Sequence, residues 1–385
     1  MIPYGRQDIS SEDIESVIKV LKSDSITQGP VTPKFEKAVS NFCGSKFAFA
    51  YNSATSALHA ACYSLGVRKG DCVWTSANTF VASANCALYC GAKVDFVDID
   101  SKTYNLSTDL LEKKLKKAKR EKRLPKVLIP VHFSGQSCDM KKIYDLSKIY
   151  NFKIIEDASH AIGGKYLKRY IGNCDYSDIT IFSFHPVKII TTGEGGIATT
   201  NDPLLAEKLN MFRTHGITKN KAKLISKSKE PWFYEQQLLG FNYRMTDIHA
   251  ALGLSQIKRL DIMIKKRHLL AKNYFKKLDS LPIKLPFQNP DSYSSFHLFV
   301  IRLDLESIKF SQEEVFNLLK ENEIFVNLHY MPVYYHPYFK KLGFKKGYCP
   351  EAEKYYSETI SIPMYSSLLK EDQNKVIKVL NKIFK

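Results

Sequence analysis

The sequence predicts an α/β fold: a large, mostly parallel sheet with helices on its faces, followed by a smaller α+β unit. Two observations lead there. Through residues 46–184, short apolar runs alternate with helical patterns, as expected of a parallel sheet wrapped by crossover helices. After Ile257 the pattern changes to a long amphipathic helix, then strand, helix, strand, helix. A chain of 385 residues has room for both units. The expected division is 1–257 and 258–385, with the N-terminal segment free to pack on the smaller unit.

Each element has its own justification. "KFAFAY" reads as a strand and "SALHAACYSLG" as a helix. "CVWT" is a strand, "VASANCALYCG" a helix, "KVDFVDI" a strand and "LLEKKLKKAKR" a helix. "KVLIPVHF" reads as a strand, "MKKIYDLSKIYN" as a helix, and "KIIED" and "ITIFSF" as strands. Length and apolar period separate the two classes. Beyond Ile257, "IKRLDIMIKKRHLLAKNYFKKL" has a helical period, "FHLFVIRL" and "IFVNLHY" read as strands, and "SQEEVFNLLKENE" and "EDQNKVIKVLNKIF" as helices.

Composition excludes several classes. Hydrophobic residues make up 44% and charged residues 25%, ordinary for a soluble globular protein. No apolar run is long enough to span a bilayer, and "MIPYGRQDIS" lacks the apolar core of a signal peptide. A cytoplasmic location is therefore expected. The eight cysteines form no CxxC pair and read as reduced thiols. Cys86 and Cys90 share a helical face, where packing outweighs a metal site, and no metal is expected. The net charge is 57 − 39 = +18, concentrated in residues 113–126 and 219–229. No nucleic-acid motif accompanies it, so it reads as a solvated helix face and a basic loop. Such a field also attracts an anionic small substrate.

The chemistry lies at the strand ends. "FAFAYNSATSALHAA" runs from a strand through Asn52, Ser53, Ala54 and Thr55 into a helix. That helix start is either a phosphate cradle or a plain N-cap by Ser53 or Thr55. "KIIEDASHA" ends a strand at Asp157, with His160 three residues on; "IFSFHPVKIITTGEGG" ends one at Ser183, with Lys188 in the turn after it. Taken alone, Lys188 reads as a solvated loop lysine. In one parallel sheet these carboxyl ends converge. A lysine, an acid and a phosphate cradle together suit pyridoxal phosphate, which forms a Schiff base with a lysine amine and needs an acid to keep its ring nitrogen protonated. Phe80, in "SANTF", can supply an aromatic face to the ring.

These segments resemble the DegT/DnrJ/EryC1/StrS family of sugar-nucleotide aminotransferases, which have the type I pyridoxal-phosphate fold (aspartate-aminotransferase-like). The resemblance runs from "IPYGRQDI" through "SITQGP", "NSATSALHAACYSLG", "PVHFSGQSCDM", "IIEDASHAIGG" and "FSFHPVKIITTGEGG" to "GFNYRMTDIHAALGLSQI". Within the family, "WTSANTFVASANCALYCG" and "YEQQLLGFNYRMTDIHAALGLSQI" resemble the transaminases of pseudaminic acid synthesis. Those enzymes aminate UDP-2-acetamido-2,6-dideoxy-β-L-arabino-hexos-4-ulose with glutamate as donor.

The resemblance implies roles. Lys188 matches the Schiff-base lysine and Asp157 the ring-nitrogen partner. His160 matches the residue that approaches the ring's oxygen substituent; Ala54, Thr55 and Ser183 match phosphate-binding positions, and Phe80 the ring-stacking position. Asn242 matches an asparagine that reaches the cofactor phosphate of the other subunit, which implies a homodimer with shared sites. Tyr4, Thr27, His329 and Tyr330 fall in substrate-facing segments. Relatives that dehydrate sugars replace the lysine with histidine; this chain keeps Lys188. Two alternatives stand beside this reading. One is a related enzyme acting on another nucleotide keto-sugar, such as the D-xylo epimer or a dTDP-linked sugar, or a dehydratase. The other is a non-catalytic basic binding protein.

Overall fold

The computed structural model describes residues 1–226, 228 and 230–384. Lys227 and Lys229 of the basic loop lie outside the described residues. A seven-stranded sheet forms the larger part. Its strands are β1 (Phe47–Tyr51), β2 (Cys72–Ser76), β3 (Lys93–Val97), β4 (Val127–Ile129), β5 (Lys153–Asp157), β6 (Ile179–Ser183) and β7 (Gly196–Thr200). Their order across the sheet is β1-β7-β6-β5-β4-β2-β3. Strands β2 to β6 pair in parallel, with Asp157 opposite Ile181. Strand β7 runs antiparallel to both neighbours, so Gly196 faces Tyr51 on one side and Ser183 on the other.

The sequence reading missed β7, for a physical reason. "GIATT" has little apolar signal, yet all five residues are buried. The threonines pair their hydroxyls with backbone carbonyls: Thr199 donates to Gly172 O (2.9 Å) and Thr200 to Asp178 O (2.8 Å). Strand β4 is also shorter than "KVLIPVHF" suggested. It stops at Ile129, before Pro130, which has no N–H to give the ladder. Pairing resumes as a single bridge, Val131 with Asp157.

The smaller part is an antiparallel sheet of Ile283–Lys284, Phe299–Leu303 and Thr359–Ile362. Helices Leu260–Leu278, Gln312–Glu321 and Lys370–Phe384 cover it, sharing a core that includes Tyr274, Phe299, Leu319 and Leu380. "IFVNLHY" is not a strand. Its bridges go to different partners, Ile324 to Ile2 and Asn327 to Ser361, so no continuous ladder forms. The Ile2 pairing is real backbone bonding, Ile2 N to Glu323 O and Phe325 N to Ile2 O, both 2.8 Å. The first residues therefore lie on the smaller sheet's side. All eight cysteines are free thiols. Among the described residues no helix is long and apolar enough to cross a membrane.

Candidate active site

The carboxyl ends of β1, β2, β4, β5 and β6 open on one edge of the sheet. At the end of β1, Ser53 is extended (φ −161°) and caps helix Ala54–Ser64, its Oγ accepting from Ser56 N at 3.1 Å. The cap reading of this helix start holds at Ser53, and the amides of Ala54 and Thr55 have no partner among the described residues. Gly196 lets β7 pass close beneath. A Cβ there would lie 2.4 Å from Ala54 N, so only glycine allows this approach. Ser183, buried at the end of β6, is the next residue along the same edge.

After β6 the chain turns at residues 184–195. Phe184 N donates to Gly195 O (2.9 Å), Thr192 N to Phe184 O (3.0 Å) and Lys188 N to His185 O (2.9 Å). Gly193 takes a left-handed φ of +81° within it. These bonds hold Lys188 partly buried. Burial lowers its ammonium to about 8, against the pull of the Asp157 carboxylate. Asp157 is itself buried. Its Oδ1 accepts from Ser159 N (3.1 Å) and Ser159 Oγ (2.6 Å), and its Oδ2 from Ser83 Oγ (2.6 Å).

His160 sits beside them. Ser134 N donates to its Nδ1 at 3.3 Å, which leaves Nε2 as the protonated nitrogen, 3.1 Å from Tyr330 OH. Burial, with Lys188 nearby, keeps this imidazole well below its ordinary range and so neutral. The ring of Tyr330 lies 6.3 Å from that of Phe80. Phe80 is 59% exposed, an open aromatic face at the mouth of the site. Tyr4 packs against His329 at 5.3 Å. His329 is held by Ser361 Oγ (2.9 Å), and burial lowers it to about 3.

The structure therefore brings Asp157, His160, Lys188, His329, Tyr330, Phe80 and Tyr4 to one edge, with Ala54, Thr55 and Ser183 along it. Two candidates stand apart. Asn242 is exposed, bridges only Thr214, and makes no side-chain bond to the cradle among the described residues. Thr27 is exposed and bridges Thr246. The two segments are tied by Asp247, whose carboxylate accepts from Val31 N (3.0 Å), Thr32 N (3.1 Å) and Thr32 Oγ1 (2.5 Å). It caps the N-terminus of helix Val31–Cys43, where Pro30 makes no side-chain cap bond. Sequence reasoning missed Ser83, Asn78 and His297. Asn78 Oδ1 accepts from Tyr330 N at 2.9 Å. The His297 ring is 4.4 Å from that of His160. Ser159 was missed as well, although it had a local signal, two residues after an aspartate at a strand end.

The DegT/DnrJ/EryC1/StrS aminotransferase family model matches residues 7–381. The chain belongs to this aminotransferase family. A Campylobacter jejuni protein, UDP-4-amino-4,6-dideoxy-N-acetyl-β-L-altrosamine transaminase, is 37% identical over 100% of this chain and 99% of its own. Among solved structures, Helicobacter pylori PseC, an aminotransferase of pseudaminic acid biosynthesis, superposes with a TM-score of 0.91 at 29% identity, covering 100% of this chain and 99% of its own. The Streptococcus pneumoniae sugar aminotransferase Spr1654, in its pyridoxal-phosphate form, gives 0.87 at 28% identity, with both chains fully covered.

This family member is a pyridoxal-phosphate enzyme with the type I fold, and its residues fit that group. The unpartnered amides at a helix N-terminus suit a phosphate. A lysine lowered to about 8 suits imine chemistry. A buried carboxylate with acceptor capacity left over suits a protonated ring nitrogen.

Proposed function

We propose that the chain moves an amino group from glutamate to the ketone carbon of a UDP-linked 2-acetamido-2,6-dideoxyhexos-4-ulose. The preferred epimer is L-arabino, as in pseudaminic acid synthesis. The observation that carries this is Lys188, lowered to about 8 beside Asp157 at an edge that also offers the Ala54–Thr55 amides. The substrate follows from the full-length likeness to the Campylobacter jejuni transaminase and PseC.

Bound pyridoxal phosphate supplies the electron sink that makes the donor's α-proton acidic. The chain's own groups do the rest. Lys188 Nζ anchors the cofactor. Once displaced, it takes the α-proton of glutamate, and in the second half it returns a proton at the sugar carbon that gains the amine. Asp157 stabilises the ring nitrogen's charge. Ala54, Thr55 and Ser183 hold the phosphate, joined by Asn242 from a second copy, and Phe80 covers the ring. His160 stays neutral and orients Tyr330 through Nε2. Tyr4, Thr27, His329 and Tyr330 face the sugar nucleotide. The division at 257/258 separates the cofactor-binding part from the part that brings His329 and Tyr330 to it.

The test supplies both keto-sugar epimers at matched concentration with glutamate and compares kcat/KM. The L-arabino epimer is expected to win by roughly 10- to 200-fold, the range of one misplaced methyl-sized group. Preference for the D-xylo epimer or for a dTDP-linked sugar overturns the substrate and leaves the aminotransferase standing.

A further inference from the structure

The hydrogen bonds around Asp157 leave a single opening. A carboxylate oxygen offers about two acceptor sites. Oδ1 spends both on Ser159, through its amide (3.1 Å) and its hydroxyl (2.6 Å). Oδ2 accepts from Ser83 Oγ (2.6 Å) alone among the described residues. The acceptor site left for a ring N–H is therefore on the oxygen that Ser83 holds. The Ser83 hydroxyl spends its proton on Oδ2, so the Thr79 hydroxyl, 2.8 Å away, must donate to Ser83 Oγ. The result is a directed chain, Thr79 to Ser83 to Asp157. Ser83 is fully buried and Thr79 is 3% exposed, so water does not substitute for either. Both residues come from the segment after β2, whereas Asp157 ends β5.

We propose that Ser83, itself oriented by Thr79, is a positioning residue that aims the open acceptor site of Asp157 Oδ2 at the cofactor's ring nitrogen. The inference rests on the proposed role of Asp157. Without Ser83 the carboxylate can rotate about its Cβ–Cγ bond, held from one side only. A ring nitrogen that keeps its proton less firmly withdraws less charge from the imine at Lys188, so that imine holds its own proton more tightly.

The test reconstitutes the full-length apoprotein with pyridoxal phosphate. It compares the native protein with Ser83→Ala, Thr79→Val and Thr79→Ser. The readouts are the pH titration of the visible band of the lysine-bound cofactor, and the dissociation constant of the cofactor. Ser83→Ala should raise the band's apparent pKa by about half a unit or more and weaken retention about tenfold, because the charged bond between Asp157 Oδ2 and the ring N–H loses its alignment. Thr79→Val should shift the band less and in the same direction, and Thr79→Ser should restore it. A general packing defect would lower the melting temperature without moving the band. If Ser83→Ala fails to fold, the Thr79→Val and Thr79→Ser pair decides by the same criterion. A band and an affinity unchanged in Ser83→Ala, or a downward shift, overturn the proposal alone. A native protein that develops no visible band overturns the cofactor reading and this proposal with it.

Discussion

Lys188 differs from the chain's other lysines in what surrounds its amine. Burial lowers its ammonium from 10.5 to about 8. Below pH 8 the group is mostly charged and cannot attack a carbonyl; above it the free amine dominates. Capture of pyridoxal phosphate by the apoprotein should therefore accelerate about tenfold per pH unit up to pH 8 and level off beyond it, as the visible band reports in stopped flow. An ordinary lysine would keep accelerating toward 10.5. The same shift acts on stability. A lysine depressed on folding costs the native state while it is charged, in full below pH 8, and the cost fades as pH rises toward 10.5. The residues with this chemistry were visible in the sequence because each follows a strand end. Ser83 and His297 were not, because their partners Asp157 and His160 are remote in sequence and no local pattern joins them.

At the scale of elements, the edge that bears the site is braced from beneath. His132, just past β4, lies 2.7 Å through Nε2 from Glu156 Oε2 in β5, and its Nδ1 accepts from Cys138 N at 3.1 Å. Burial alone would push the Glu156 carboxyl up; hydrogen bonds from His132, Ser177 and Thr180 hold it below its usual range. A carboxylate lowered on folding adds stability that is present above its unfolded pKa and lost as pH falls through the folded one. Glu156→Gln should cost roughly 3 kcal/mol in urea unfolding at pH 7, since buried donors lose a charged acceptor. It should also flatten the acid limb of the stability profile. A loss under about 0.5 kcal/mol, the level of an ordinary surface change, would refute the brace. Legibility was uneven here. The strand "KIIED", with Ile154 and Ile155 at its centre and a helix pattern before it, matched the structure residue for residue. Strand β7 failed because its buried threonines satisfy themselves on carbonyls, and "IFVNLHY" failed because its bridges change partner midway.

The whole molecule brings the first residues of the chain against Met364 and the turn that carries Lys188. Tyr4 O accepts from Met364 N at 3.0 Å, and Gly5 lies against Val187, one residue before Lys188. Residues 327–330 cross from the smaller sheet to Asn78 after β2. Sequence order could not reveal this convergence; the resemblance to a family supplied it. Asn242 remains outside the site of its own chain, and exposed Trp232, Leu239 and Phe241 lie near it in sequence. We therefore expect a homodimer in which Asn242 serves the second site. Sedimentation should report two chains, and Asn242→Ala should weaken cofactor retention without altering the melting of the apoprotein. A fully active monomer would refute the shared site.

In the reaction proposed above, five strand ends converge so that one lysine, Lys188, carries the cofactor opposite Asp157. Borohydride reduction of the reconstituted protein, followed by peptide mapping, tests it most directly. The pyridoxyl group should appear on the peptide containing Lys188 and nowhere else. Its recovery on any other lysine would rule out Lys188 as the cofactor's anchor.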